Sequence, residues 1–213
     1  MDVIWDFDGT LFDTYPGMMA ALRAVLAGYG DQRTTEELLV AAKQDSVRAI
    51  LRDFAQTHPD TTLAGLDQAY HAKEHDTNLQ PLPYPGARTA LDAVVKAGGR
   101  NFLWTHRDDV AWRLLDRNDL RGLFAGGTTI SMHFARKPNP ESLLYLQREF
   151  GLSAHRTVVV GDRALDVAAG KAAGFATIYI DIDGLHAAPA ATETVTALTE
   201  VPAALARLAQ MME

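Results

Sequence analysis

The chain has 213 residues, 47% of them hydrophobic and 22% charged, with a formal net charge of −7 at pH 7 and no cysteine. That length allows one sizeable core and a small second module, and the composition is that of an ordinary globular protein. The acidic balance without a Lys/Arg cluster argues against a nucleic-acid or membrane partner, the missing cysteines exclude disulfides, thiolate catalysis and Cys-ligated metal centres, and no apolar stretch is long enough to span a bilayer.

The first predicted element is a strand over Val3–Phe7 (VIWDF), apolar and β-rich. It runs into Asp6-Phe7-Asp8-Gly9-Thr10. Residues two apart on a strand point to one side, so two carboxylates are crowded together, and such a pair repels unless a cation intervenes. Asp2, Asp6 and Asp8 also interrupt any apolar leader, so no signal peptide is expected and the chain reads as cytoplasmic. From about Tyr15 to Gln80 the sequence is rich in Ala, Leu, Gln and charge. Helical spacing is clear at Met18, Leu22, Val25 and Leu26 and continues through Leu38, Ile50, Leu51 and Phe54. This stretch predicts a small helical module inserted after the first strand and closed by PLPYPG at 81–86. The expected division is a core of residues 1–14 and 83–213 and a helical module of residues 15–82.

Strand and helix then alternate. A helix over Ala87–Ala97 stops at Gly98-Gly99, and a strand follows at Asn101–Thr105. Asp108 or Asp109 caps a helix carrying Val110, Leu114 and Leu115. A strand is expected at Thr128–Ser131, a helix at Pro140–Phe150, a strand at Thr157–Val160, an Ala-rich helix at Asp162–Ala173, a strand at Ala176–Ile180 and a closing helix at Val201–Met212. The alternation predicts a doubly wound α/β core on a parallel sheet.

The polar residues fall at the strand ends. Strand one delivers Asp6 and Asp8, strand two Thr105-His106-Arg107, the segment after strand three Lys137-Pro138, and strand four Gly161-Asp162 with Asp166 four residues on. In an open parallel sheet these ends share one rim, where ligands bind. A divalent cation among Asp6, Asp162 and a backbone carbonyl relieves the carboxylate repulsion, and hard oxygen donors without a His or Cys cluster favour Mg²⁺. With phosphoryl charge neutralised, Asp6 can attack phosphorus, and Asp8 can protonate the leaving alkoxide and then activate water. Thr105 can donate to a phosphoryl oxygen, Lys137 can supply charge to another, and Gly9 permits the turn that frees Asp8 from the strand.

Asp6-x-Asp8-Gly-Thr10, Thr105, Lys137-Pro138 and Gly161-Asp162-x-x-x-Asp166 together resemble the four ordered motifs of the haloacid dehalogenase-like hydrolase superfamily. The insertion after the first motif is similar to the helical cap of its phosphoglycolate phosphatase and β-phosphoglucomutase branch. The resemblance implies Asp6 as nucleophile, Asp8 as acid/base, and Mg²⁺ on Asp6, the Asp8 carbonyl and Asp162. It implies phosphate contacts from Thr105, the His106 backbone and Lys137. Thr10 is carried as a supporting residue, and Asp166 as orienting a metal-bound water or Lys137. His106-Arg107 stands where phosphoglycolate phosphatases commonly carry Asn after the Thr. The expected activity is Mg²⁺-dependent hydrolysis of a small phosphorylated metabolite through an aspartyl phosphate.

Other readings meet specific obstacles. A phosphomutase would keep the aspartyl phosphate and return it to substrate, which depends on water exclusion. Dehalogenation needs no acid at position 8. A phosphonate hydrolase needs a cap lysine for a Schiff base, for which Lys43 and Lys73 are the candidates. A phospho-accepting receiver-like domain carries its Asp on a middle strand with no insertion after the first. The second Asp-x-Asp-Gly, Asp181-Ile-Asp183-Gly184, reads as a surface turn, and Trp5, Trp104 and Trp112 as core.

Overall fold

The computed structural model describes residues 1–76 and 80–211. The chain forms two compact units, one of Met1–Asp13 with Leu82–Glu213 and one of Thr14–Pro81.

Among the described residues the second unit holds four helices, α1 (Tyr15–Ala27), α2 (Thr35–Gln44), α3 (Val47–Thr57) and α4 (Leu63–Asp76). Leu22, Leu26, Leu38, Leu51, Phe54 and Leu66 pack together as its own apolar core. Local chemistry sets two helix starts. Thr34 and Glu37 form a reciprocal capping box at α2, and the Ser46 hydroxyl accepts from the Ala49 N–H at α3.

The first unit carries strands β1 (Asp2–Trp5), β2 (Asn101–Trp104), β3 (Phe124–Thr128), β4 (Thr157–Gly161), β5 (Ala176–Ile180) and β6 (Glu193–Val195). All pairs are parallel, in the order β3-β2-β1-β4-β5-β6. Its helices are α5 (Ala87–Lys96), α6 (Val110–Arg117), α7 (Glu141–Phe150), α8 (Ala164–Ala172) and α9 (Val201–Met211). Successive strand residues face opposite sides, and both sides are covered. Val3, Trp5, Leu103 and Val160 pack with Leu91 of α5, Leu115 of α6 and Leu208 of α9. Ile4, Phe102, Trp104 and Val159 pack with Leu143 and Leu146 of α7 and Ala169 of α8. This is the doubly wound α/β fold expected from the alternation. The strand order reverses between β1 and β4, which places a ligand crevice beyond their carboxyl ends.

The third strand departs from expectation. It runs over Phe124–Thr128 rather than Thr128–Ser131, and Ile130–Met132 is a 3₁₀ turn. The reason is close packing. A β-carbon at Gly126 would lie 2.4 Å from the Phe150 ring, and one at Gly127 would lie 2.5 Å from the Leu103 carbonyl oxygen. The glycines that read as a break are what lets this strand approach β2 and α7. β6 is an edge strand that no apolar run announces, with the sequence ETV. The expected closing helix is present as Val201–Met211, and Met212 lies outside the described residues. α8 starts at Ala164, two residues later than expected, because the backbone at Arg163 is extended, with φ −130° and ψ 156°. No helix of the described residues is long and apolar enough to cross a membrane.

Candidate active site

Asp6 follows β1 and is 3% exposed; its backbone N–H donates to the Val160 carbonyl at 2.9 Å, so the sheet's own pairing carries it into place. Lys137 Nζ donates to Asp6 Oδ1 at 2.6 Å and to Asp166 Oδ1 at 2.7 Å. The same ammonium sits 3.6 Å from the centroid of the Trp104 ring. Thr10 Oγ1 lies 3.2 Å from both Asp6 Oδ2 and Asp162 Oδ1, and its single proton can serve only one of them at a time. Asp6, Asp162 and Asp166 bring carboxylate oxygens within 4.8 Å of one another, all three residues buried.

Asp166 is held where it is by backbone. The Arg163 N–H donates to Asp166 Oδ2 at 3.0 Å at the start of α8. A β-carbon at Gly161 would lie 2.4 Å from the Asp166 Cβ and 2.6 Å from its Cγ, so only glycine at the end of β4 leaves room for this carboxyl group.

Asp8 leaves the strand through the turn at Gly9, whose φ is +74°. Its carboxylate stands apart from the buried cluster. Arg107 Nε donates to Asp8 Oδ1 at 2.9 Å and the Nη2 of the same side chain reaches that oxygen at 2.8 Å. The two opening aspartates are thus separated by partner, Asp6 on Lys137 and Asp8 on Arg107. Thr105 Oγ1 accepts from the Arg107 N–H at 3.0 Å, and the Thr105 N–H donates to the Thr128 carbonyl, tying the ends of β2 and β3. His106 Nε2 accepts from the Lys137 backbone N–H at 3.2 Å, which places the ring proton on Nδ1. Two contact groups result: Asp6, Thr10, His106, Lys137, Asp162 and Asp166 in one, and Asp8 and Thr105 around Arg107 in the other, with His106 joined to Thr105 and Arg107 only through the backbone.

The electrostatics follow from burial. Burial pushes Asp6 up, the Lys137 ammonium opposes it, and the Asp166 and Asp162 charges add to the rise, which reaches about 7. Burial also pushes Asp166 up, but Lys137 and then Arg163 outweigh it and hold this carboxyl below the usual range. Burial, reinforced by Lys137, Arg136 and Arg163, drives His106 down to about 3, so the ring is neutral. Asp6, Asp162 and Asp166 present carboxylate oxygens to one another in a buried cluster, and an all-oxygen donor set of this kind suits a hard divalent cation.

Three contributors escape a reading of sequence alone. Arg107 is a charge directly after Thr105-His106, but its partner lies 99 residues away. Trp104 is core, as expected, and also forms a face for Lys137. Gly161 counts for the space that it leaves. Asp181, expected in a surface turn, is 3% exposed and accepts from Tyr179 Oη at 3.0 Å and from the Leu185 N–H at 2.9 Å, bracing the loop after β5.

The family model described as "Haloacid dehalogenase-like hydrolase" matches residues 3–180. A phosphoglycolate phosphatase of Pseudomonas syringae pv. tomato is 31% identical over 205 residues, spanning 90% of this chain and 73% of the relative. A hydrolase from Streptococcus pneumoniae TIGR4 has 34% identity and a TM-score of 0.58, over 83% of this chain and 90% of that one. A HAD family hydrolase from Deinococcus radiodurans R1, solved with bound phosphate and sodium, shares the fold at a TM-score of 0.75 with 23% identity, over 98% of this chain and 96% of that one.

Proposed function

The chain belongs to the haloacid dehalogenase-like hydrolase family and is a phosphatase, and from that premise we propose that it hydrolyses a small phosphorylated metabolite through an aspartyl phosphate on Asp6. The observation that carries this reading is a buried carboxylate already paired with an ammonium, Asp6 Oδ1 on Lys137 Nζ at 2.6 Å, with the Asp162 and Asp166 carboxylates gathered beside it. A bare carboxylate cluster would repel an incoming phosphate, and the paired arrangement moderates that repulsion at the attacking group.

In the proposed reaction an Asp6 oxygen bonds to phosphorus as the bond from phosphorus to the ester oxygen breaks. Asp8 supplies the proton to that departing oxygen. Asp8 then takes a proton from the water that attacks the phosphoryl group, and Asp6 is released as the carboxylate with inorganic phosphate as product. Thr105 Oγ1 accepts from Arg107 N–H, which leaves its hydroxyl proton to be directed at a phosphoryl oxygen. Lys137 holds Asp6 in line and offsets charge, while His106 fixes the backbone at Lys137. The residues that would hold Mg²⁺ are the Asp6 and Asp162 side chains with the Asp8 carbonyl, and Asp166 would orient Lys137 and the metal's surroundings. Mg²⁺, when bound, supplies the positive charge against which the phosphoryl oxygens are drawn to Asp6.

The test is hydrolysis of p-nitrophenyl phosphate by purified protein. Activity is expected with Mg²⁺, lost on EDTA and restored by added Mg²⁺, and absent in Asp6→Asn. Turnover by Asp6→Asn at the wild-type rate would refute the assignment of the nucleophile.

A further inference from the structure

The contact between Arg107 and Asp8 sets a demand on the substrate. Two guanidinium contacts fall on a single Asp8 oxygen, Oδ1, at 2.9 and 2.8 Å. The Arg107 backbone is fixed on both sides of its Cα, its N–H on Thr105 Oγ1 at 3.0 Å and its carbonyl accepting from Ile130 N–H at 3.1 Å. The arginine therefore cannot drift away from the phosphate-binding turn that it belongs to. Its side chain is 16% exposed, whereas that of Lys137 is 1% exposed and committed to Asp6 and Asp166. Arg107 is thus a cation of this site that an incoming anion can reach.

Resting on the phosphatase reading above, we propose that Arg107 is a specificity residue that exchanges the Asp8 carboxylate for a carboxylate on the leaving group of the substrate. Asp8 has to bring an oxygen within hydrogen-bond distance of the ester oxygen, and in this structure Oδ1 is held by two N–H groups. The guanidinium then lies about 6 Å or less from the ester oxygen, two hydrogen-bond lengths. A carboxylate one or two carbons along the leaving group falls within that reach. The exchange trades one carboxylate for another on the same donors, so it costs little, and the planar donor fork of arginine matches the newcomer. An uncharged leaving group offers nothing in return for Asp8. The substrate class is accordingly a small phosphomonoester with a carboxylate close to the ester oxygen.

Two substrates that differ only at this group decide the matter: 2-phosphoglycolate, and ethyl phosphate, which has a methyl in place of the carboxylate. The wild type is expected to prefer 2-phosphoglycolate in kcat/KM. In Arg107→Met the ratio of the two kcat/KM values is expected to fall about tenfold to a hundredfold, the size of a charge-assisted hydrogen bond, chiefly through the KM for 2-phosphoglycolate. Arg107→Lys, which keeps the charge without the fork, is expected to recover part of the ratio. Equal kcat/KM for the two substrates in the wild type overturns the proposal with no variant needed. So does a ratio within about twofold of wild type in Arg107→Met, or an equal loss on both substrates, which is what a merely structural arginine would produce. In those cases hydrolysis of p-nitrophenyl phosphate leaves the phosphatase reading standing. Failure of the wild type to hydrolyse any of the three phosphates overturns both.

Discussion

Replacing Lys137 by methionine removes the ammonium and keeps most of the side-chain volume. In the metal-free protein this strips the cation from two carboxylates at 2.6 and 2.7 Å, whose side chains are 4% and 1% exposed. Breaking a buried pair from one side costs about 3–5 kcal/mol, because the remaining charge is left without compensation. For a chain of this size that corresponds to a fall in Tm of about 6–20 °C. The loss depends on pH with a definite sign. Asp6 already stands near 7 with Lys137 present, since burial raises it and Lys137 opposes the rise. Without the lysine, Asp6 and Asp166 both move up. A carboxyl raised in the folded state keeps protons that the unfolded chain has released, so its stability is present at low pH and is lost as pH rises through the folded value. The deficit of Lys137→Met should therefore be smaller at pH 5.5 than at pH 8. Urea unfolding of both proteins in EDTA at the two pH values measures it. A deficit below about 1 kcal/mol at pH 8, or one that does not grow with pH, contradicts the uncompensated-carboxylate account.

His106 should act in the opposite direction. Its ring is neutral when folded, with burial driving it down to about 3, so its stabilising effect is present above the unfolded value and is lost as pH falls below it. Between pH 7 and pH 4.5 the wild type should lose about 2–3 kcal/mol more than His106→Asn, which keeps an acceptor for the Lys137 N–H; parallel stability–pH curves in urea titrations would argue against a buried neutral ring. Gly127→Ala places a methyl group 2.5 Å from the Leu103 carbonyl oxygen and should cost at least about 1–3 kcal/mol by thermal unfolding, with backbone on one side unable to yield. Gly151→Ala is the paired control. Its β-carbon meets nothing within 4 Å, and its φ of +61° confines the penalty to the backbone. A larger loss at position 151 than at 127 would refute the packing explanation for β3.

Much was decided by local pattern. The β-rich runs, the helical spacing from Met18 to Phe54 and the alternation after residue 84 follow from short-range periodicity, which any window of the sequence carries. The grouping of the candidate residues was legible for a related reason. A doubly wound sheet brings its strand ends to one edge, so polar clusters at the ends of separate strands meet whatever fills the loops between them. Tertiary structure alone decided the rest. Gly126 and Gly127 form a strand because Phe150 and Leu103 press against them, and neither neighbour is visible within the run itself. The two opening aspartates sit together in sequence yet part company in space, because Lys137 lies 131 residues from Asp6 and Arg107 lies 99 from Asp8. Periodicity specifies which way a side chain faces along its own element; which cation it meets depends on how distant elements cross, and that is settled only when the chain packs.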